Sequence, residues 1–357
     1  MIPHSKPTLN KEDALAVEDV INSGYISQGI IIDRFENEMA GYIGVKGGVA
    51  VSSGTAALHL SLIALGIKEG DDIAMPSFVC PALLNAAKYI HANPLLIDIN
   101  PLSYNIDVAD LKKKLTHKTK AIIVPHAFGL PSDIEDIMNI GISVIEDCAQ
   151  SVGATYKGRQ AGSFGNCAIF SFYSTKVMTT GEGGMVLSNS DTLLNRVRDL
   201  REYDHKAEYV MRYNYKMTDM QGALGLSQLK RLNSFILKRR NIANVYNERF
   251  SELGVAIPSV PPERGHIYFR YVIRNRRQKT EDRRQKLEED LKFFEANGIK
   301  CMRPVYKPIH KYLNIKGFQE TDKAWNELIS IPIYPSLSDS DVKDICEAVR
   351  RWRETGY

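Results

Sequence analysis

Between residues 49 and 187, short apolar runs alternate with longer stretches of helical pattern. The runs cover 49–51, 73–75, 94–97, 121–124, 142–145, 168–172 and 185–187. They are rich in Val and Ile and are bounded by Gly, Pro or Asp. Unbroken apolar runs of this length are the mark of strands covered on both faces, as in a mostly parallel sheet. The stretches 56–65 and 81–89 show a helical pattern and fit crossover helices between those strands. The pattern predicts a three-layer α/β unit around a seven-stranded sheet. Ligands of such sheets bind at the carboxyl ends of the strands.

From Asp219 to Glu252 the pattern has a single helical period, with Leu224, Leu229, Leu232, Ile236 and Ile242 on its buried side. Pro258, Pro261 and Pro262 then interrupt the chain. A strand over 267–273, a charged helix to Asn297 and a last helix over 338–353 follow. The predicted division falls near Leu237, with a large unit over 1–237 and a smaller α+β unit over 238–357. A chain of 357 residues with 44% hydrophobic residues has the material for both.

Charge adds little to this picture. The net charge is +4, and the densest basic stretch, 274–286, is interrupted and followed by acidic residues. A solvated helix face is the reading, not a nucleic-acid surface, although a basic patch can attract a phosphorylated small substrate. The five cysteines form no C-x-x-C pair, so neither a disulfide framework nor a structural zinc site is expected, and a reducing cytoplasm fits. Residues 1–12 have no apolar segment of a secretory signal, and no run is long enough to span a membrane.

Three segments carry chemistry. In CAIFSFYSTKVMTTGEGG, a buried strand delivers Lys176 into a glycine-flanked turn. Desolvation there lowers a lysine's pKa and makes its amine a nucleophile toward an aldehyde. In GISVIEDCAQ, the acidic pair Glu146–Asp147 ends an apolar strand. An ionised Asp at that place can hold a pyridine nitrogen protonated, although a helix cap would use the same residue. In SSGTAALHLSL, a strand ends, small residues turn and a helix begins, offering N–H groups, Gly54 and Thr55 to a phosphate. Taken in order these are a phosphate cradle, an acidic strand end and a lysine, all at strand ends of one sheet.

With these segments in place, the chain resembles the DegT/DnrJ/StrS family of sugar aminotransferases, which use pyridoxal 5′-phosphate and have the aspartate-aminotransferase-type fold. The resemblance runs from the Gly24–Gly29 region to the last helix, through SSGTAALHL, PLLIDINPLSYNID, EDCAQSVGATYKG, FSFYSTKVMTTGEGG and YNYKMTDMQGALGLSQL. It implies that Lys176 carries the cofactor as a Schiff base and that Asp147 pairs with the pyridinium nitrogen. Gln150 lies near the ring, and Gly54, Thr55 and Ser171 hold the phosphate. Asn214 reaches that phosphate from a second subunit, which implies a homodimer with shared sites.

Two positions depart from the family pattern. Cys80 stands where an aromatic residue usually covers the ring, leaving Cys80 or Phe78 for that role. Lys216 replaces an arginine. Tyr306 and His310, in RPVYKPIH, and Tyr25, in GYISQG, are candidates for contacting the substrate. The activity implied is ping-pong transamination from an amino donor, L-glutamate in this family, to a nucleotide-linked keto-sugar, serving surface polysaccharide or a secreted metabolite. The alternatives are a pyridoxal-phosphate sugar dehydratase, which has His where this chain has Lys176, and a non-catalytic, cofactor-binding regulatory protein. No metal is expected.

Overall fold

A computed structural model describes residues 1–274 and 283–354. The predicted runs are all strands of one sheet. In chain order the strands are β1 (Gly47–Val51), β2 (Asp72–Pro76), β3 (Asn93–Ile97), β4 (Thr119–Pro125), β5 (Ser143–Asp147), the two-residue β6 (Thr155–Tyr156) and β7 (Arg159–Gln160), β8 (Cys167–Ser171), β9 (Gly184–Ser188), β10 (Arg264–Gly265), β11 (Tyr271–Arg274) and β12 (Leu328–Ile331). The seven-stranded sheet has the order β1-β9-β8-β5-β4-β2-β3. Only β9 runs antiparallel to its neighbours. β1, β2, β4, β5 and β8 therefore all end on the same edge.

Helices α1 (Lys11–Ser23), α2 (Ile30–Ile43), α3 (Gly54–Ala64), α4 (Ala82–Tyr89), α5 (Val108–Lys114), α6 (Ile134–Met138) and α7 (Asp191–Leu200) surround this sheet. The strands alternate sides as a pleat requires. Val49, Ile123 and Ile145 pack toward α3, while Ala50, Ile122 and Val144 pack toward the opposite layers. Each fully buried Ile, Leu or Val side chain contributes about 1.5–3 kcal/mol. Both faces are covered, which is why the runs read as continuously apolar.

Helix α8 (Asp219–Glu252) is continuous through the predicted division. Its Leu226, Leu229, Leu232 and Ile236 join the core of the large sheet, and Ile242, Tyr246 and Phe250 join a second core. The core it serves changes between Ile236 and Ile242. Leu226, not the half-buried Leu224, completes its inner face. The second core also gathers β11 and β12 with α9 (Arg283–Ala296) and α12 (Asp339–Glu354); α10 (Ile309–Tyr312) and α11 (Gln319–Glu327) lie between the units. One amendment concerns the amino terminus. Ile2 N–H donates to Gly298 O and Lys300 N–H to Ile2 O, so the first residues join the smaller unit.

The strand predicted over 267–273 is shorter than expected. Tyr268 has φ 51°, a left-handed conformation that ends the extended run. Ile267 and Arg270 turn their N–H groups to Gly129 and Phe128 carbonyls instead of to a ladder. Of the basic stretch 274–286, residues 275–282 lie outside the described residues, and Arg274 pairs with Glu327 at 3.2 Å. The five cysteines are unpaired. Among the described residues no helix is long and apolar enough to cross a membrane.

Candidate active site

The strand register assembles the site. Gly184, at the start of β9, lies opposite both Val51 and Ser171, so the ends of β1 and β8 flank it on either side. The turn 52–54 crosses this point closely: a Cβ on Gly184 would lie 2.4 Å from the Ser53 carbonyl carbon. A Cβ on Gly54 would lie 2.8 Å from that of Ser171. Only glycine lets the first turn of α3 approach Ser171 in this way. Ser53 caps the helix by accepting from Ala56 N–H. Gly54 and Thr55, in the first turn of α3, thus lie beside Ser171 at a helix amino terminus, the arrangement that suits phosphate.

Asp147 ends β5 one strand away, opposite Ile169 of β8. It is buried, and the one hydrogen bond to its carboxylate among the described residues comes from Ala149 N–H, at 3.0 Å. Burial pushes its pKa up; the Ala149 N–H and the charge of Lys176 oppose that rise. A cation placed beside it would restore the ionised form.

Lys176 sits in a locked turn. Thr180 N–H donates to Phe172 O and Phe172 N–H to Gly183 O, while Val177 and Met178 are buried in the core. Its own N–H donates to Tyr173 O at 2.9 Å. The ammonium lies 5.3 Å from the centre of the Phe269 ring. Burial lowers its pKa and Arg270 lowers it further, while the Asp147 charge acts against them. The amine is thus moved toward the neutral, nucleophilic form.

Cys80 is exposed and feels the charges of both Asp147 and Lys176. Partial desolvation of its thiol and the Asp147 charge push its pKa up, so it remains a thiol. Phe78 points the other way, edge-on to Phe128 at 6.3 Å within a core of Ile99, Val272 and Val305. Gln150 is held nearby, its side-chain oxygen accepting from Phe128 N–H at 3.0 Å.

Glu146, the other half of the acidic pair, points to the opposite face of β5 and is fully buried. It accepts from Gly162, Phe164 and Gly165 N–H groups and from His126 Nε2. Burial pushes its pKa up, but the His126 hydrogen bond and the Gly165 and Gly162 N–H groups together bring it below the usual range. Ser132 N–H donates to Nδ1 of His126, which places the ring proton on Nε2, facing Glu146. His126, Glu146 and Cys148 lie close enough to hold a metal. The hydrogen bonds already occupy His126 and Glu146, and the cluster is structural.

The remaining candidates separate. Asn214 is exposed on an extended strap whose flanking Tyr213 and Tyr215 pack on His59. Lys216 is tied to Asp204 at 2.8 Å and Glu202 at 3.8 Å. Tyr306 is 86% exposed. Its carbonyl accepts from Trp325 Nε1 at 3.0 Å. Tyr25 is also exposed and borders a groove of about 1080 Å³ between α1, α2 and α8 that includes neither Lys176 nor Asp147. His310 does not fit the expected substrate contact. It is 1% exposed. Its N–H donates to Ser77 Oγ, so the Ser77 hydroxyl donates back to Nδ1 and Nε2–H faces Asp322, at 3.1 Å. Burial holds its pKa down. His310 instead clamps the segment that carries Cys80.

The sequence pattern of the DegT/DnrJ/EryC1/StrS aminotransferase family matches residues 7–350. The chain belongs to this family. It is 36% identical over 369 residues to GDP-perosamine synthase of Escherichia coli O157:H7, covering 98% of each chain. The GDP-perosamine synthase of Vibrio cholerae is 34% identical, covering 99% of each. Among solved structures, the aminotransferase TlmJ from Streptoalloteichus hindustanus superposes with a TM-score of 0.93 at 28% identity over 99% of each chain. The protein is a pyridoxal-phosphate-dependent aminotransferase with the fold of its family. The residues at the strand ends fit that cofactor: an amine of lowered pKa, a buried carboxylate short of a cation, and a helix amino terminus that only glycine at 54 lets approach Ser171.

Proposed function

We propose that this enzyme moves an amino group from L-glutamate to a keto-sugar carried on a nucleotide, in two half-reactions at one site. The observation that carries the reading is the Lys176 amine of lowered pKa at the turn after β8 and the buried Asp147 carboxylate at the end of β5, each acting on the other's charge. The relatives named GDP-perosamine synthase support a nucleotide-linked acceptor.

Lys176 is the covalent anchor of the cofactor and, once displaced, the base that takes the proton from the donor α-carbon and returns it. Pyridoxal phosphate, when bound, supplies the electron sink for the pair left on that carbon. Asp147 holds the proton on the pyridine nitrogen. Gly54, Thr55 and Ser171 bind the phosphate, and Gln150 and Cys80 border the ring. Lys216, Tyr25 and Tyr306 stand at the outer edges from which an acceptor or a second subunit would approach. The presence of lysine at 176 argues against the dehydratase alternative.

The working unit in this reading is a homodimer. Asn214 projects outward from its strap, and the groove beside Tyr25 and Ile30 is apolar and exposed. Residues 1–237 and 238–357, apart from the amino-terminal segment, are its two units. No nucleic acid or membrane partner enters this reading, and the cytoplasm, where nucleotide-linked sugars are made, is its compartment. Mixing Lys176→Ala and Asn214→Ala chains rebuilds one intact site in each mixed dimer, about a quarter of full activity when subunits pair at random.

The direct test is titration of the holoenzyme with L-glutamate. Bleaching of the cofactor absorption with release of 2-oxoglutarate is expected, followed by amination of one member of a panel of nucleotide-linked keto-sugars, read by mass spectrometry. A spectrum unmoved by every amino donor would overturn the reading in favour of a cofactor-binding regulatory protein.

A further inference from the structure

Arg239 and Arg270 line a cavity of about 180 Å³ together with His4, Thr175, Phe269 and Met302. Thr175 is next to Lys176 in sequence, and the Phe269 ring that lines the cavity lies 5.3 Å from the Lys176 ammonium. Neither arginine meets a carboxylate among the described residues. Arg239 is held by backbone oxygens: its Nη1 meets the carbonyls of Tyr268, Phe269 and Ile333 at 3.2, 3.3 and 2.9 Å, although its Nε, like that of Arg270, has no partner among the described residues.

Arg270 is different. Its Nη1 meets His4 Nε2 at 3.3 Å and Met302 Sδ at 3.6 Å, and its Nε has no partner. Burial and the two arginines push the His4 pKa down to about 3, so His4 is neutral and brings no counter-charge. The Arg270 guanidinium carbon lies 5.5 Å from the centre of the Phe269 ring, and the Lys176 ammonium 5.3 Å from that same centre. The two cations are therefore no further apart than the sum of these distances. A largely buried guanidinium with one neutral imidazole, one thioether and no anion is costly to keep.

We propose that Arg270 receives a carboxylate of the amino-acid donor. The inference rests on the reading of Lys176 as the residue that the donor displaces. A guanidinium fork matches a carboxylate with two parallel hydrogen bonds. The cavity is below the range for drug-sized ligands, so it admits a carboxylate arm and excludes a nucleoside diphosphate. A cation set apart from the phosphate cradle also lets one site take an anionic donor and then a keto-sugar. The carboxylate is either the α group, common to every amino acid, or the distal group of glutamate.

The test compares wild-type, Arg270→Gln and Arg270→Lys holoenzymes. Calorimetry with succinate, which cannot react, reads binding without turnover; kinetics with L-glutamate and L-alanine read donor use. Arg270→Gln should weaken succinate and raise the L-glutamate KM by roughly ten- to a hundredfold. The keto-sugar KM should stay within about twofold, which a merely structural loss would not allow. Arg270→Lys keeps the charge without the fork and should fall between. An equal loss with L-alanine assigns the α-carboxylate; a loss confined to L-glutamate assigns the distal one. Unchanged succinate and glutamate constants in either variant, with transamination intact, would overturn the assignment alone. Arg270-dependent succinate binding in a protein that transaminates nothing would keep it and overturn the proposed function.

Discussion

The site at the strand ends and the polar networks that support it are both built from buried charged and polar side chains, yet they are satisfied in different ways. In the supports the groups complete one another. Glu146 takes three backbone N–H groups and His126, and Ser77, His310 and Asp322 close a second relay. In the site the groups leave capacity open. The Asp147 carboxylate accepts one backbone N–H, and Arg270 meets no carboxylate among the described residues. Supports are satisfied on folding and specify geometry, while site residues wait for a ligand to complete them.

The sharpest break of that contrast is Lys176→Ala. Turnover should fall by roughly 10⁴-fold or more, because the variant loses both the anchor and the proton carrier. Thermal unfolding of the cofactor-free protein should shift little, since the lysine completes no internal network. Kinetics beside calorimetry decide it: activity within tenfold of wild type, or a large drop in stability, would place Lys176 among the supports.

The two neighbouring carboxylates come next. Asp147→Asn should cut kcat about 100-fold or more and leave the unfolding of the cofactor-free protein unchanged or improved. Glu146→Gln should do the opposite, losing about 2–4 kcal/mol by stranding buried donors. Their pH signatures also differ in sign. The folded-state pKa of Glu146 is depressed, so its contribution is present above its ordinary value of 4.5 and is lost as pH falls through the depressed value. That of Asp147 is raised from 3.8, so its burial costs stability increasingly as pH rises from there through the raised value. Acid unfolding of the two variants against wild type should show slopes of opposite change.

The sequence showed the frame of this contrast but not its assignment. Seven apolar runs gave all seven strands, because a sheet covered on both sides demands unbroken Val and Ile. Period-two alternation places Glu146 and Asp147 on opposite faces without saying which face holds a ligand. That depends on the backbone N–H groups of 162–165 and on His126, brought together only by folding. His310 and Ser77 are 233 positions apart. No local pattern joins them, so an embedded His read as a surface ligand. Arg270 carried a faint signal, a lone cation in the aromatic run HIYFRYVI. Its meaning required the absence of an acid around it, which only packing reveals.

The smallest effect tests the supports where they come nearest to the site. His310→Ala strands the Ser77 hydroxyl and leaves a void beside the stacked Phe318, for a loss of about 2 kcal/mol. kcat should change by about threefold or less, because no atom of His310 faces the site. The pH dependence separates this role from a catalytic one. Burial lowers the folded-state pKa of His310 from 6.5. Its contribution is therefore complete above pH 6.5 and is lost as pH falls toward the lowered value. His4 and His266, pushed by burial to about 3 and about 4, titrate with the same sign, so total acid sensitivity cannot identify His310. The difference between the wild-type and His310→Ala stability curves can. It should be constant above pH 6.5 and shrink below it, while the pH profile of kcat stays in place. A kcat profile that lost a limb with His310, at unchanged stability, would move this residue from the supports into the site.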